Sequence, residues 1–233
     1  MTELMPSLCA PYRALVVGAS GGIGRAFVDH IAVDPRCGAV TGLSRGTGLD
    51  LADEASIAAA ADALGQTVLD LLVVATGALS SGDGQPEKTI RAIDPAAMAA
   101  QFAVNAVGPA LVLKHFTPRL ARGRRSIVGL LSARVGSIGD NRLGGWISYR
   151  ASKAALNQIV RTSAIEIART RPEAVVAALH PGTVATRFSE AFAARRERLA
   201  PEDSARRLLS VLDRLTPGQS GGFFAYDGSP IEW

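Results

Sequence analysis

The chain contains 233 residues with a mass of 24.2 kDa, which suits one domain of generous size. Apolar residues make up 48% of the sequence and charged residues 20%, a balance that excludes a disordered chain. Only two cysteines and three histidines are present, which excludes a disulfide framework and a spaced zinc cluster. We therefore expect a reducing compartment and no metal site.

The net charge of +4 is spread along the chain rather than gathered on one element. Two short arginine clusters, at residues 122–125 and 195–198, are typical of solvated helix ends and loop edges rather than of a nucleic-acid interface. No apolar run approaches the length of a membrane span, and the first one, residues 14–17, is too short for a signal peptide. These features predict a soluble cytoplasmic protein that binds neither nucleic acid nor membrane.

Strand and helix patterns alternate along the chain after a loose leader, residues 1–12. Short apolar runs bounded by turn residues predict strands buried on both faces, at residues 14–17, 39–43, 68–75, 126–131, 175–179 and 221–226. Helical patterns with capping residues such as Asp53 and Pro95 lie between them, at residues 25–32, 53–64, 95–113, 149–169 and 202–215. Two long loops are expected at residues 76–94 and 132–147.

This alternation requires parallel strands joined by right-handed crossover helices that cover both faces of a sheet. We therefore predict a single doubly wound, Rossmann-type α/β domain over residues 13–233, with a mainly parallel sheet of about seven strands. We find no linker, repeat or low-complexity tract in the sequence.

A glycine-rich stretch, residues 18–24, lies between the first strand and the first helix. Glycine allows positive φ and close approach to an anion, and the helix N-terminus presents backbone N–H groups. The stretch predicts a pyrophosphate-binding loop, with contacts from Gly18, Ser20, Gly22, Ile23 and Gly24. Such turns also occur without ligands, and this one fits the G-x-S-x-G elbow of α/β-hydrolases. That elbow needs a loop from earlier strands, so a hydrolase using Ser20 is a minor alternative.

The second predicted strand ends at Ser44 and Arg45. In dinucleotide-binding folds, an acidic residue here would bind the adenosine ribose and repel a 2′-phosphate. A guanidinium pairs well with phosphate, so Arg45 favours NADP(H) over NAD(H). An arginine considered alone is also typical of a solvent-facing loop.

Tyr149 and Lys153 begin a predicted helix with i, i+4 spacing, which places both on one face. An ammonium beside a phenol favours the phenolate, so we expect Lys153 to lower the pKa of Tyr149 and permit proton exchange near neutrality. The pair is also compatible with a packed Tyr followed by a solvated Lys. Ser132 favours the catalytic interpretation of the pair, because it follows the strand at residues 126–131, and α/β folds bind ligands at the carboxyl ends of their strands. Asn105, in an apolar helix, is interpreted as satisfied by backbone or as the anchor of a water that links Lys153 to solvent.

Together and in this order, the motifs resemble those of the classical short-chain dehydrogenase/reductase family, from about Arg13 to the C-terminus. The loop after Ser132 is similar to that of a bacterial subgroup likened to the C-factor signalling protein and to carbonyl reductases. The resemblance implies a catalytic tetrad of Asn105, Ser132, Tyr149 and Lys153. It implies an NADP(H)-dependent oxidoreductase that reduces a ketone or aldehyde, or runs the reverse reaction, with Tyr149 as general acid/base.

The resemblance also implies contacts to the cofactor beyond the glycine-rich loop. Asp50 matches the family's adenine contact, and Val184 and Thr186 match residues that hold the nicotinamide carboxamide. The family's N-N-A-G motif is reduced here to a single glycine, Gly77. The full implied set outside the loop is Ser44, Arg45, Asp50, Leu51, Gly77, Tyr149, Lys153, Pro181, Gly182, Val184 and Thr186.

Further expectations concern substrate, assembly and alternatives. Phe188 and Phe192 are candidates for a lid over a small carbonyl or alcohol substrate, and Trp146 and Leu143 either line its other wall or belong to the core. In the resembling family, the two long apolar helices pair protomers, so we expect a homodimer or homotetramer. An NADP(H)-binding signalling or interaction protein with incidental catalysis stays open. Sugar-nucleotide epimerases are disfavoured because the chain lacks their additional C-terminal region.

Overall fold

The computed structural model describes residues 3–79, 85–186 and 198–233, and a six-stranded sheet forms its centre. The strand order is β2-β1-β3-β4-β5-β6, and every neighbouring pair is parallel. The strands are β1 (Tyr12–Val17), β2 (Cys37–Leu43), β3 (Leu71–Val74), β4 (Ser126–Leu131), β5 (Ala174–His180) and β6 (Phe223–Ala225). The predicted doubly wound α/β fold is confirmed. Each predicted apolar run forms one strand, so the described residues hold six strands where about seven were expected.

Within the described ranges, six α-helices flank this sheet: α1 (Gly22–Ala32), α2 (Glu54–Asp62), α3 (Pro95–Phe102), α4 (Gly108–Phe116), α5 (Ile147–Ala168) and α6 (Pro201–Arg214). The predicted N-cap of α2 is confirmed, because the Asp53 side chain accepts the backbone N–H of Ala55. Asp94 caps α3 in the same way through the N–H of Ala97.

Both faces of the sheet are buried, as continuous apolar strands require. Successive residues of a strand point to opposite faces. In β5, Val176 and Ala178 therefore pack in the layer that contains α2, α4 and α5. Val175 and Ala177 pack in the opposite layer, with α1 and α6. All strands are parallel, so their carboxyl ends meet at one edge, where the candidate site lies.

The helix predicted over residues 95–113 is interrupted by a π-helical turn, Ala103–Val107, between α3 and α4. The N–H of Gly108 donates to the carbonyl of Ala103, five residues earlier. Pro109 has no N–H, so the carbonyl of Asn105 lacks its ordinary α-helical donor. A π-turn accommodates this loss, and such turns are frequent at functional sites.

The helical stretch Pro95–Arg119 contains an 18-residue window with a mean hydropathy of 1.6, so it is long and apolar enough to cross a membrane by length and composition. The expectation concerned uninterrupted apolar runs, and polar residues such as Gln101 and Asn105 interrupt this stretch. The stretch packs against the sheet through buried Val112, Leu113 and Phe116. A core helix passes the same test, so length and composition are weak evidence for a span here.

The expectation of a loose leader is wrong for residues 3–12. Met5, Leu8 and Tyr12 are fully or almost fully buried in the layer that contains α1 and α6. The buried Asp34 carboxylate accepts hydrogen bonds from the Tyr12 hydroxyl at 2.8 Å and from the backbone N–H groups of Leu4 and Met5 at 3.2 Å. The segment is therefore fastened by one carboxylate and by apolar burial.

We expect Asp34→Ala to lower the free energy of unfolding by about 3 kcal/mol, because the Tyr12 hydroxyl and two N–H groups lose their acceptor. Urea denaturation followed by circular dichroism measures the change. Asp29→Ala is the control, since the Asp29 side chain has, among the described residues, only an exposed ion pair with Arg25. Its effect is expected within about 0.5 kcal/mol. Equal effects of the two substitutions would contradict this role of Asp34.

Two arginines of the cluster at residues 122–125 have partners in the fold. Arg124 pairs with the buried Asp70 carboxylate at 2.8 Å. Arg125 donates to carbonyl oxygens at the end of α6, including that of Asp213 at 3.1 Å. The interpretation of this cluster as purely solvated is therefore wrong for these two residues. Residues 195 and 196 of the second cluster lie outside the described residues.

Candidate active site

The glycine-rich loop folds tightly between β1 and α1. Gly18 has φ +90°, and a Cβ there would lie 2.6 Å from the carbonyl oxygen of Ala75. A Cβ on Gly24 would overlap the carbonyl oxygen of Gly18. No side chain caps the start of α1 at Gly21, so its first backbone N–H groups stay available to an anion. The loop fits the pyrophosphate of a dinucleotide.

The segment after β5 lies against this loop. A Cβ on Gly22 would be 2.7 Å from the Thr186 methyl group, so these two residues are in close approach. Gly182 has φ +81° and packs against the ring of Tyr226. Val184, two residues later, is buried. The structure thus brings the predicted stretch from Pro181 to Thr186 beside the glycine-rich loop.

The predicted adenosine end follows β2. The Ser44 N–H donates to Thr47 Oγ1 at 2.9 Å, in a short turn. Arg45 is exposed, and its guanidinium has no hydrogen bond or ion pair among the described residues. Asp50 is also exposed, and its Oδ1 accepts the N–H of Ala52 at 2.9 Å. Leu51 is buried against α4. The contacts of these residues with a nucleotide remain predictions.

Tyr149 and Lys153 lie one turn apart near the start of α5, and both are buried, with exposures of 5% and 2%. The Lys153 ammonium donates to the carbonyl oxygen of Leu131, the last residue of β4, at 2.9 Å. A Cβ on Gly77 would be 3.3 Å from Lys153 Nζ and 3.5 Å from Asn105 Oδ1. The structure therefore brings Gly77, Asn105 and Lys153 together at the carboxyl edge of the sheet.

The Asn105 side chain has three hydrogen bonds to the protein. Its Oδ1 accepts the Ala78 N–H at 2.7 Å, and its Nδ2 donates to the Ala78 carbonyl at 2.7 Å and to Ser152 Oγ at 3.0 Å. The side chain thus ties the loop after β3 to α5. This matches the backbone-satisfied interpretation. The alternative, in which Asn105 anchors a water that links Lys153 to solvent, stays a prediction.

Ser132 follows β4 directly and is buried. Its hydroxyl donates to Asn157 Oδ1 at 2.6 Å, and its N–H donates to the Leu179 carbonyl at 2.7 Å. Asn157 Nδ2 in turn donates to the carbonyl of Gly136 at 3.3 Å. Asn157 thus ties Ser132 to α5, the helix that also carries Tyr149.

Sequence reasoning missed Ser152, Asn157 and His180. Ser152 and Asn157 lie three and eight residues after Tyr149, on the buried face of α5, and this helical spacing was the available signal. His180 ends β5, and its Nδ1 accepts the N–H of Arg134 at 3.3 Å. Burial lowers the pKa of His180 to about 4, so the ring is neutral near pH 7 and can accept this bond.

Burial shifts the two central pKa values in opposite directions. It raises the pKa of Tyr149 above its ordinary value and lowers the pKa of Lys153 to about 7. The expectation that Lys153 lowers the pKa of Tyr149 is therefore not met, because the removal of water is the dominant effect on both groups. At neutral pH, Tyr149 is a phenol with a proton to donate, and Lys153 is divided between its charged and neutral forms.

The residues expected at the substrate wall have different positions. The ring of Trp146 lies edge-on to that of Tyr149, with centroids 6.3 Å apart and an interplanar angle of 66°. Leu143 is 84% exposed, which excludes it from the core. The lid candidates Phe188 and Phe192 lie outside the described residues.

Ser20 is exposed and has no hydrogen-bonded histidine among the described residues, so the hydrolase alternative gains no support.

A family model described as enoyl-(acyl carrier protein) reductase matches residues 35–214, a range that includes all four predicted tetrad positions. C-signal of Myxococcus xanthus is 40% identical over 142 residues, which are 60% of this chain and 81% of that protein. The 1-hydroxy-2-glutathionyl-2-methyl-3-butene dehydrogenase of Rhodococcus sp. (strain AD45) is 31% identical over 232 residues, which cover 94% of this chain and 98% of that protein.

A solved structure has a fold similar to that of this chain. The NADPH-bound carbonyl reductase from chicken fatty liver matches with a TM-score of 0.81 at 26% identity. The match covers 98% of this chain and 96% of that one. The similarity therefore extends over both layers and both ends of the sheet.

Proposed function

We propose the function of this chain on the basis of its family, since the chain belongs to the short-chain dehydrogenase/reductase family. It is accordingly an oxidoreductase enzyme. Within the family, we assign it the NADP(H)-dependent reduction of a ketone or aldehyde to an alcohol, or the reverse oxidation. The observation that carries this assignment is the buried pair of Tyr149 and Lys153, adjacent to Gly77 and Asn105 at the carboxyl edge of the sheet.

NADP(H) is the cofactor that the residues of the site suit. The loop from Gly18 to Gly24 would hold its pyrophosphate. Ser44 and Arg45 would hold its 2′-phosphate, Asp50 and Leu51 its adenine, and Val184 and Thr186 its carboxamide. When bound, the cofactor supplies the hydride, and the protein supplies orientation and protons.

Residues of the chain itself would supply the proton that the substrate oxygen needs. Burial keeps Tyr149 protonated at neutral pH, so its hydroxyl can donate a hydrogen bond to a carbonyl oxygen and then transfer the proton as the carbon accepts hydride. Lys153, with a pKa of about 7, can return a proton toward Tyr149 and hold a ribose hydroxyl. Ser132 donates its single hydroxyl proton to Asn157, and would redirect it to the substrate oxygen.

Fluorescence titration with NADPH and NADH, followed by a panel of ketones and aldehydes read at the nicotinamide absorbance, tests the assignment. We expect tighter binding of NADPH and its oxidation by at least one class of carbonyl compound. Binding of neither nucleotide would overturn the proposal.

Assembly and location belong to the same proposal. We assign a homodimer or homotetramer that pairs through α4, the preceding π-turn and α5. The apolar side chains of Val107 in the π-turn and Ile165 in α5 are about half exposed and would be covered by such pairing. Light scattering after gel filtration tests this, and a monomer at all concentrations would contradict it. We place the enzyme in the cytoplasm.

A second candidate is an NADP(H)-binding signalling or interaction protein. The 40% identity with C-signal over 142 residues favours it. The two candidates differ in whether Tyr149 is needed for function, and its substitution therefore distinguishes them.

A further inference from the structure

The residue just before α5 has an unusual backbone conformation. Trp146 has φ 54° and ψ 43°, in the left-handed region that side-chain-bearing residues rarely adopt. Its N–H donates to the carbonyl oxygen of Glu87 at 2.6 Å. A residue in this region persists only where its surroundings hold it, and such residues are concentrated at active sites. Here the hydrogen bond to Glu87 provides one such restraint, three residues before Tyr149.

The side chain of Glu87 contacts the same turn of helix. Its Oε1 accepts a hydrogen bond from the Ser148 hydroxyl, and Ser148 is completely buried. Its other oxygen, Oε2, is buried and has no partner among the described residues. A carboxylate beside a helix N-terminus is favourable to the first-turn N–H groups. A buried carboxylate that is only half satisfied is nevertheless costly, and its presence calls for an explanation.

Both contacts of Glu87 flank Tyr149. Trp146, held by the Glu87 carbonyl, places its ring edge-on against the Tyr149 ring. Ser148, held by the carboxylate, immediately precedes Tyr149 in the first turn of α5. A phenol that must meet a substrate oxygen within hydrogen-bond distance depends on the placement of this turn.

We propose that Glu87 is a positioning residue for Tyr149, acting through Trp146 and Ser148. This inference rests on the proposed function, in which Tyr149 is the proton donor. Glu87 fixes the first turn of α5 through two hydrogen bonds, one from the backbone and one from a side chain. The loop that carries Glu87 is thereby coupled to the orientation of the phenol.

Kinetics of four variants test the proposal. Glu87→Ala and Ser148→Ala are each expected to lower kcat about tenfold or more, with unchanged affinity for NADPH. The double variant is expected to lose no more than either single one, because both remove the same hydrogen bond. Glu87→Gln keeps an acceptor for Ser148 and is expected to restore kcat to within about threefold of the unmodified enzyme.

Glu173→Ala is the matched control, since Glu173 is exposed and precedes β5 at the opposite end of the sheet. Its kcat is expected to be unchanged. Additive losses in the double variant, or a parallel fall in NADPH affinity, would overturn the positioning role. Absence of activity in the unmodified chain would instead contradict the proposed function.

A second measurement is independent of catalysis. The chain has two tryptophans, so Trp233→Phe leaves Trp146 as the single indole emitter. Both alanine variants keep the main-chain carbonyl that accepts the Trp146 N–H and remove only the side-chain hydrogen bond between Glu87 and Ser148. In that background, Glu87→Ala and Ser148→Ala are expected to shift the emission of Trp146, because the side-chain bond fixes the position of residue 87, and Glu87→Gln is expected to restore it. Unchanged emission in both alanine variants would show that the Glu87 side chain does not fix the position of Trp146, and would overturn this part of the proposal.

Discussion

Replacing Tyr149 with phenylalanine is expected to lower the rate of NADPH-dependent carbonyl reduction by about a thousandfold. The substitution removes the hydroxyl that burial keeps protonated at neutral pH, and with it the proton for the substrate oxygen. The phenyl ring occupies nearly the same buried volume beside Trp146, so the fold and the conformation of the glycine-rich loop are expected to be unchanged. Steady-state kcat with an active carbonyl compound, together with NADPH affinity, measures both consequences.

Tyr12→Phe provides the matched control for this experiment. Tyr12 is also buried, but it lies in the layer of α1 and α6 and donates its hydroxyl proton to Asp34. Its replacement is expected to reduce stability and to leave kcat unchanged. A Tyr149→Phe enzyme with full kcat would overturn the proton-donor role. A biological activity that persists in Tyr149→Phe, despite the loss of reduction, would favour the signalling candidate.

Much of this fold could be predicted because its strands are buried on both faces. A short, mostly apolar run bounded by turn residues, such as residues 126–131, is typical of a strand that is covered on both faces of a parallel sheet. The glycine-rich loop could also be predicted from the sequence, since Gly18 and Gly24 allow close contacts between backbone segments that a side chain would block. These features depend on local sequence, and their relative order along the chain supplied the topology.

The features that could not be predicted depend on contacts between distant segments. The leader was expected to be loose because no periodicity marks residues 3–12, yet Asp34 holds it from 22 or more residues away. The direction of the Tyr149 pKa shift was missed for the same reason. The i, i+4 spacing reveals the nearby ammonium of Lys153, but the burial that outweighs it arises only when α5 packs against the sheet.

Polar residues on the buried face of α5 show the same limit. Ser152 and Asn157 share the face of Tyr149 and Lys153, and the sequence places all four there. It does not specify that Ser152 meets Asn105, 47 residues earlier, or that Asn157 meets Ser132, 25 residues earlier. Helix geometry can therefore indicate which residues share a face, although Ser152 and Asn157 were not predicted there, while the sheet order determined which partners they contact.

Arg45→Ala is expected to weaken NADPH binding between about tenfold and a hundredfold, the range for one charge-assisted phosphate contact. NADH affinity is expected to stay within about twofold, because NADH has no 2′-phosphate for the guanidinium to meet. The Arg45 guanidinium is exposed and has no hydrogen bond or ion pair among the described residues, so its removal breaks no side-chain contact of that kind. Fluorescence titration with both nucleotides measures the two affinities.

Salt and a control substitution sharpen this prediction. Because Arg45 is exposed, added salt screens its charge, and the preference for NADPH is expected to shrink as ionic strength rises. Arg169, at the exposed C-terminal end of α5, is far from the carboxyl ends of the strands. Arg169→Ala removes the same charge and is expected to leave the ratio of the NADPH and NADH affinities unchanged. Equal weakening of both nucleotides by Arg45→Ala, or tighter binding of NADH by the unmodified chain, would show that Arg45 does not read the 2′-phosphate.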